Sequence, residues 1–355
     1  MRKECSLSSI ERQAILTSLF TVRMEVMSTN CNALLRSLRR KRSRSEDEYA
    51  KPFFKWAGGK TQLLQEFYFR FPAELQSGGL DRYVEPFIGG GAVFFFVMQL
   101  FPGKESVICD ANEELVLTYR VVQQDVDALI DILNEYQARY DILEEPGRKE
   151  MYLKIRSDLN DQRKRFNFSS YDNSWIERAS QLLFLNKTCF NGLFRVNSRG
   201  EFNVPFGKYG NPGIVNESNL HKASDLLKNT TILHGDFSCC LEFVTDHTFV
   251  YLDPPYRPLN TSSKFTGYSS GGFSDQDQIR LKGFFDGVDS IGAKVMLSNS
   301  DPKNEDPTDH FFDELYQQYR IERVLATRMI NSDAEKRGTI SEIVVMNYQG
   351  FKPVI

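Results

Sequence analysis

Residues 82–110 carry the pattern that most restricts the fold. Arg82-Tyr83-Val84-Glu85-Pro86-Phe87 is extended and ends in Gly89-Gly90-Gly91. Ala92–Leu100 is apolar and of helix length, and Ser106–Cys109 is a short apolar run that stops at Asp110. Strand, glycine loop, helix, strand is one βαβ unit, and units of this kind build parallel sheets covered by helices on both faces. The same alternation returns after about residue 230. Thr231–Leu233, Thr248–Leu252 and Lys294–Leu297 read as strands, Ser274-x-x-Asp277 opens a helix, and Tyr319–Ala326 with Ile340–Tyr348 reads as a final strand pair. The expected architecture is α/β, a doubly wound and mostly parallel sheet.

Between the two α/β parts the periodicity changes. Leu115–Tyr140, Arg148–Phe166 and Ser174–Leu185 alternate apolar and charged residues at helical spacing, and 189–209 is rich in Asn, Gly and aromatic residues, as in a hairpin or long loop. The expected division is therefore 51–112 with 231–355 as one domain, 113–230 as an inserted helical and β-hairpin domain, and 1–50 as an extension. Residues 1–50 hold 10 basic and 6 acidic side chains, with a basic run from Arg36 to Arg44, and read as a solvated, poorly ordered leader. Ser8-x-x-Glu11 resembles a helix cap, and Ile15, Leu16, Leu19 and Phe20 could form one apolar face. The net charge of −3 carries no hint of nucleic acid, but it sums a leader at +4 and a body at −7.

Six cysteines show no C-x-x-C spacing and the four histidines are scattered, so neither a zinc site nor a disulfide framework is expected. No metal is expected at all. A reducing cytoplasm is the expected compartment, with no secretory signal and no apolar run near the ~20 residues of a membrane span.

Two motifs carry chemistry. The glycine loop lets backbone amides and a helix N-terminus approach a ligand, while Asp110, at the end of the next strand, can accept both hydroxyls of a ribose. Together they point to a cofactor containing adenosine. Ala57-Gly58-Gly59-Lys60-Thr61 resembles the end of a phosphate loop, but Phe54 stands where the first glycine is required. The second motif, Asp253-Pro254-Pro255-Tyr256, follows a strand. An exocyclic aromatic amine is a poor nucleophile because its lone pair is delocalised into the ring. A carboxylate (Asp253) and a rigidly held carbonyl (Pro254) can each accept one amino hydrogen and favour a pyramidal nitrogen. Tyr256 offers a flat face to a base.

These motifs, with Lys55-Trp56-Ala57-Gly58-Gly59-Lys60 and Glu85-Pro86-Phe87-Ile88-Gly89-Gly90-Gly91, resemble those of Dam-type adenine-specific DNA methyltransferases of the D12 class, in the motif order of the α group. The resemblance covers nearly all of residues 51–350. It implies S-adenosylmethionine as cofactor, held by Trp56, Lys60, Pro86, Phe87, Gly89, Gly91, Asp110, Asp236 and Asp253, with Lys60 near the methionine carboxylate. It implies that Asp253, Pro254 and Tyr256 hold the target adenine.

Residues 190–209 resemble the recognition hairpin of enzymes that methylate the adenine of GATC. Lys187, Arg195, Arg199 and Lys208 against Glu201 give residues 187–209 a net charge of +3. Arg and Asn suit bidentate reading of guanine and adenine edges in the major groove. The resemblance implies Leu193, Arg195, Asn197 and Pro205 as base readers, with Lys55 at a flanking base. Phe190 and Leu193 are apolar wedges able to support an extruded base or contact a thymine methyl, Asn191 is expected among the DNA-binding residues, and Lys208 and Tyr209 fall at the DNA backbone. The implied partner is double-stranded DNA, bound by a monomer, with or without a cognate restriction endonuclease. The same amine chemistry on another DNA site or on RNA is the alternative, and a non-catalytic DNA-binding protein of this fold the remoter one.

Overall fold

The structure is a computed structural model, and it describes residues 29–37, 48–257, 273–327 and 339–350. Seven strands form one sheet: β1 (Arg82–Glu85), β2 (Glu105–Asp110), β3 (Thr230–His234), β4 (Thr248–Leu252), β5 (Lys294–Ser300), β6 (Arg320–Thr327) and β7 (Thr339–Met346). Their order is β3-β2-β1-β4-β5-β7-β6. β3, β2, β1, β4 and β5 are parallel, while β7 runs antiparallel between β5 and β6. This is the expected α/β sheet.

Alternation along the strands explains why both faces are covered. Tyr83, Phe249, Tyr251 and Met296 enter one apolar cluster, and their neighbours Val84, Val250, Leu252 and Val295 enter the other. β4 is buried at all five positions, as a central parallel strand should be.

The longer helices from residue 92 onward are α1 (Ala92–Leu100), α2 (Glu113–Gln124), α3 (Val126–Ile142), α4 (Glu145–Arg163), α5 (Ser174–Thr188), α6 (Glu217–Leu227) and α7 (Asp275–Ile291). Their ends follow local chemistry. Asn112 caps α2 by accepting from the Glu114 and Leu115 N–H groups. Ser274 and Asp277 form the capping box expected for α7, which stops at Gly292 in the left-handed region (φ 92°). The single helical run read over 115–140 is two helices, because Asp125 leaves helical geometry (φ −136°, ψ 46°).

α2 packs on β2 and β3, and α3, α4 and α5 pack around it and one another. A buried ion pair joins these layers. Arg178 on α5 is fully buried and donates from Nε to Glu114 on α2 at 2.8 Å, with a second bond from its Nη2. Arg163 on α4 reaches the same carboxylate at 2.8 Å.

One expectation is corrected here. Residues 29–37, read as part of a solvated leader, are helical, and Cys31, Leu34 and Leu35 are buried in the main core. The apolar spacing i, i+3, i+4 supplies the reason. The rest of the leader's features (the cap at Ser8, the apolar face at 15–20 and most of the basic run) lie outside the described residues, as do 258–272 and 328–338. Among the described residues no helix is long and apolar enough to cross a membrane.

Candidate active site

Strand order reverses between β1 and β4, so the chain leaves these neighbours in opposite directions and opens a crevice at their carboxyl ends. A cavity of about 1150 Å³ lies there. The loop after β1, Asp110 at the end of β2, Asp236 after β3 and Asp253–Tyr256 after β4 all line it. Four motifs scattered over about 170 residues of sequence thus share one pocket.

The glycine loop forms the first wall. Asp110 accepts hydrogen bonds from the Gly89 N–H (3.1 Å) and the Asn112 N–H (2.9 Å), which fixes the loop against the strand end. Burial pushes its carboxyl above the usual range, and those bonds pull it back in part. Gly91 has φ +74°, and a Cβ there would sit 2.6 Å from the Tyr119 hydroxyl. That hydroxyl donates to the Gly89 carbonyl at 3.1 Å. Trp56 closes this side, its ring stacked on Phe194 at 5.0 Å and set against Gly89. Across the pocket, Asp236 accepts from the Ser238 N–H and from Arg280 at 3.0 Å. Burial pushes this carboxyl up, but these bonds outweigh it and hold the group below its usual value. Phe87, Phe237 and Phe273 pack together beside it.

The second wall is a charged network. The Lys60 ammonium lies 2.7 Å from Asp253 Oδ1, and it donates to the Gly58 carbonyl at 3.0 Å and the Tyr256 hydroxyl at 3.2 Å. Tyr256 in turn donates to Glu342 Oε1 on β7 at 2.9 Å. Burial alone would push Lys60 down; Asp253 beside it, with Tyr256 and Glu342, holds it above its usual value instead. Burial pushes Asp253 up, opposed by Lys60. Tyr256 is 39% exposed although its hydroxyl is bonded on the inner side, so the ring has a face free for stacking. The three N–H donors of Lys60 are thereby committed to the Asp253 wall, whereas the family resemblance ties the same group to a methionine carboxylate.

The segment after α5 is a hairpin-like loop held by two isolated bridges, Cys189 with Phe206 and Val196 with Phe202. Its tip, from Val196 to Gly200, lines the mouth of the same cavity. Lys55 joins it through Asn186, which accepts from the Lys55 N–H and donates to the Lys55 carbonyl, both at 2.9 Å. Phe190 is exposed (52%), and Arg195 and Pro205 are exposed beside it. Leu193 is half-buried against the core. Asn203 orients the Arg195 guanidinium through bonds of 2.8 and 3.2 Å. Asn191 and Lys208 both take positive φ (56°), and the Tyr209 hydroxyl accepts from the Asn191 N–H. The Lys208 ammonium lies 3.5 Å from Glu145. Asn197 is committed to the turn. Its Oδ1 accepts from the Arg199 and Glu201 N–H groups and its Nδ2 donates to Glu201. Base reading by Asn197 would require exchanging those bonds.

Comparison with known proteins shows the family. A family model described as D12 class N6 adenine-specific DNA methyltransferase matches residues 56–330. The chain belongs to that family. This D12 methyltransferase is 49% identical over 299 residues to the type II methyltransferase M.MjaIII of Methanocaldococcus jannaschii, covering 84% of this chain and 99% of that one. It is 40% identical over 301 residues to the type II methyltransferase M1.LlaDCHI of Lactococcus lactis, covering 84% and 95%. The DNA adenine methylase of Escherichia coli is 28% identical over 300 residues, covering 84% and 96%.

Several site residues of this methyltransferase escaped the sequence reading. Glu342 is one, and its signal was a single acid inside the apolar run Ile340–Met346. It is 6% exposed, and its Oε2 has no hydrogen-bond partner among the described residues. Tyr119 and Phe194 are others. They look like ordinary core aromatics in sequence, and only the fold sets them against Gly91 and Trp56.

Proposed function

We propose that this methyltransferase uses S-adenosylmethionine to methylate N6 of an adenine turned out of duplex DNA, within the sequence GATC. The observation that carries the reading is one cavity holding both the glycine loop with Asp110 and the Asp253–Tyr256 tetrapeptide, roofed by the basic hairpin tip. The residues fit the cofactor. Asp110 stands at a strand end where ribose hydroxyls are held, and it lines the same cavity as the glycine loop that it fixes through the Gly89 N–H. The carboxylates of Asp110, Asp236 and Asp253 suit a ligand that carries sulfonium and ammonium charge. When bound, S-adenosylmethionine supplies an electrophilic methyl group.

In this reading Trp56, Pro86, Phe87, Gly89, Gly91, Asp110 and Asp236 hold the cofactor. Lys60 fixes Asp253 and Tyr256. Asp253 and the Pro254 carbonyl each accept one hydrogen of the adenine amine, and the exposed face of Tyr256 stacks on the ring. Turning the base out costs a few kcal/mol, and Phe190 is exposed where an apolar wedge would support the gap. Arg195, with Leu193, Asn197 and Pro205, reads base edges, while Lys55, Lys208 and Tyr209 position the duplex. The inserted residues 113–230 supply recognition, and 51–112 with 231–355 supply chemistry. The type II names of two relatives support a modification role beside a restriction endonuclease.

The test is methylation of a plasmid followed by mapping of N6-methyladenine by single-molecule sequencing. Modification confined to GATC supports the reading, and modification at any other motif overturns the site. Asp253→Ala should abolish transfer while S-adenosylmethionine still binds. Near-normal methylation by that variant would overturn the assignment of the tetrapeptide.

A further inference from the structure

Three thiols far apart in the chain converge beneath the pocket. Cys109 is the last residue but one of β2, while Cys239 and Cys240 lie in the 3₁₀ turn Phe237–Phe243. Their sulfur atoms all lie within 4.8 Å of one another, with Cys109 and Cys239 at 3.6 Å. This is the only such group of potential metal ligands among the described residues. Cys109 and Cys240 are buried and Cys239 is partly exposed. The methyl transfer uses none of them.

We propose that Cys109, Cys239 and Cys240 form a three-thiolate binding site for a soft, thiophilic d¹⁰ metal ion. The spacing fits. Metal–sulfur bonds of about 2.3 Å put ligating sulfurs roughly 3.8–4.0 Å apart, close to the 3.6 Å between Cys109 and Cys239 and inside the 4.8 Å that bounds all three. The donor set is soft, so it selects ions such as Cu(I), Zn(II) or Cd(II) over Mg(II) or Ca(II). The neighbouring carboxylates do not compete as ligands. Asp110 is engaged by Gly89 and Asn112, and Asp236 by Ser238 and Arg280. The Gly235 carbonyl, 3.5 Å from the Cys109 sulfur, is the nearest further donor, and the partly exposed Cys239 supplies an entry path. Hydrogen bonds from Cys240 and Cys239 hold the Cys109 thiol below its ordinary value. Binding displaces the thiol protons to solvent, one for each sulfur that ligates.

The site places an ion directly behind Asp110 and the turn that carries Asp236, both of which line the pocket. Cys109 is bonded to Asp110, and the Gly235 N–H donates to the Asp110 carbonyl at 3.1 Å. An ion there would fasten the end of β2 to the turn that carries Asp236.

Titration of the reduced full-length protein with Cd(II) under argon, read by thiolate-to-metal charge-transfer absorption, tests the proposal. A parallel arm uses Cu(I) as its acetonitrile complex. The expected result is one ion per chain and the loss of three thiols from those counted by a thiol-titrating disulfide reagent. Cys109→Ser and Cys239→Ala should each weaken capture at least about tenfold, because even an outer partner of a metal ligand is worth that much. Cys239→Ala keeps the test valid if a buried variant fails to fold. Equal capture by wild type and Cys239→Ala overturns the proposal. So does a Cys109–Cys239 disulfide that forms under peroxide and leaves reduced protein indifferent to both ions.

Discussion

Lys60→Met separates two roles that one ammonium group could serve. Its nitrogen lies 2.7 Å from Asp253 Oδ1, and the side chains of Lys60 and Asp253 are 3% and 20% exposed. The Coulomb attraction at that distance is about 6 kcal/mol for an effective dielectric of about 20. Solvent at the exposed edge of Asp253 screens part of it, and a neighbouring cation lowers a carboxyl by about 1–3 pKa units in practice. That range corresponds to about 1.4–4 kcal/mol. Burial holds Asp253 above the usual carboxylate range, and Lys60 is the first influence that pulls it back. Without Lys60 the carboxyl keeps its proton to higher pH, and an acid donates where the amine needs an acceptor. The acid limb of kcat/KM against pH should therefore move upward by about 1–3 units, with activity returning as pH rises.

Lys60 itself stays charged throughout, since its folded value lies above its ordinary one. Its contribution to stability is complete below the ordinary lysine range and is lost only as pH rises through the folded value. It therefore does not shape the neutral part of the profile. Removing one partner of a buried pair costs about 3–5 kcal/mol. Protonation of Asp253 relieves part of that, so the variant should lose less folding stability in acid than in base, the opposite of the trend in its activity. The assay is single-turnover methylation of a duplex oligonucleotide with tritiated cofactor, across pH, with cofactor affinity measured by calorimetry alongside. An unmoved acid limb with weakened cofactor binding at every pH would refute this reasoning and assign Lys60 to the cofactor carboxylate.

Three further outcomes follow from the same geometry. Gly91→Ala combines a left-handed φ with a Cβ 2.6 Å from the Tyr119 hydroxyl, so it should cost about 1–3 kcal/mol in urea denaturation and weaken cofactor binding in calorimetry. Unchanged values in both would contradict the close approach. Tyr256→Phe keeps the stacking ring but strips Glu342 of the hydrogen bond it accepts, an expected loss of about 1.5–3 kcal/mol by chemical denaturation with duplex affinity little altered. Arg195→Ala should leave stability within about 0.5 kcal/mol, because the side chain is exposed and, among the described residues, bonds only to Asn203. It should relax the methylated motif at one base by about 1–3 kcal/mol, read as the ratio of rates on single-substituted duplexes.

The order and type of elements were legible wherever period and punctuation agreed. Ala92–Leu100, Thr248–Leu252 and the capping box at Ser274 stand where the residues place them. In each, a local rule acts over a few residues: apolar spacing, β-branched and aromatic runs, a side chain that satisfies a free N–H. The break at Asp125 was not legible, because both helices it separates carry the same periodicity and only the turn angle differs. Nor was the packing of residues 29–37, since an amphipathic stretch announces a buried face but not the surface that buries it.

The sequence by itself determined the catalytic vocabulary. Asp253-Pro254-Pro255-Tyr256, the glycine loop and Asp110 are contiguous motifs whose chemistry depends on neighbours one to three residues away. The tertiary structure alone decided which of them share a site and what holds them there. Lys60 meets Asp253, Tyr256 meets Glu342, and Trp56 meets Phe194, across separations of 193, 86 and 138 residues. The same holds for the three thiols, which have no metal-binding spacing along the chain and a close one in space. The physical reason is the parallel sheet. Its parallel strands β1 to β5 end on one side, and its order reverses between β1 and β4, so loops distant in sequence are brought to a single crevice.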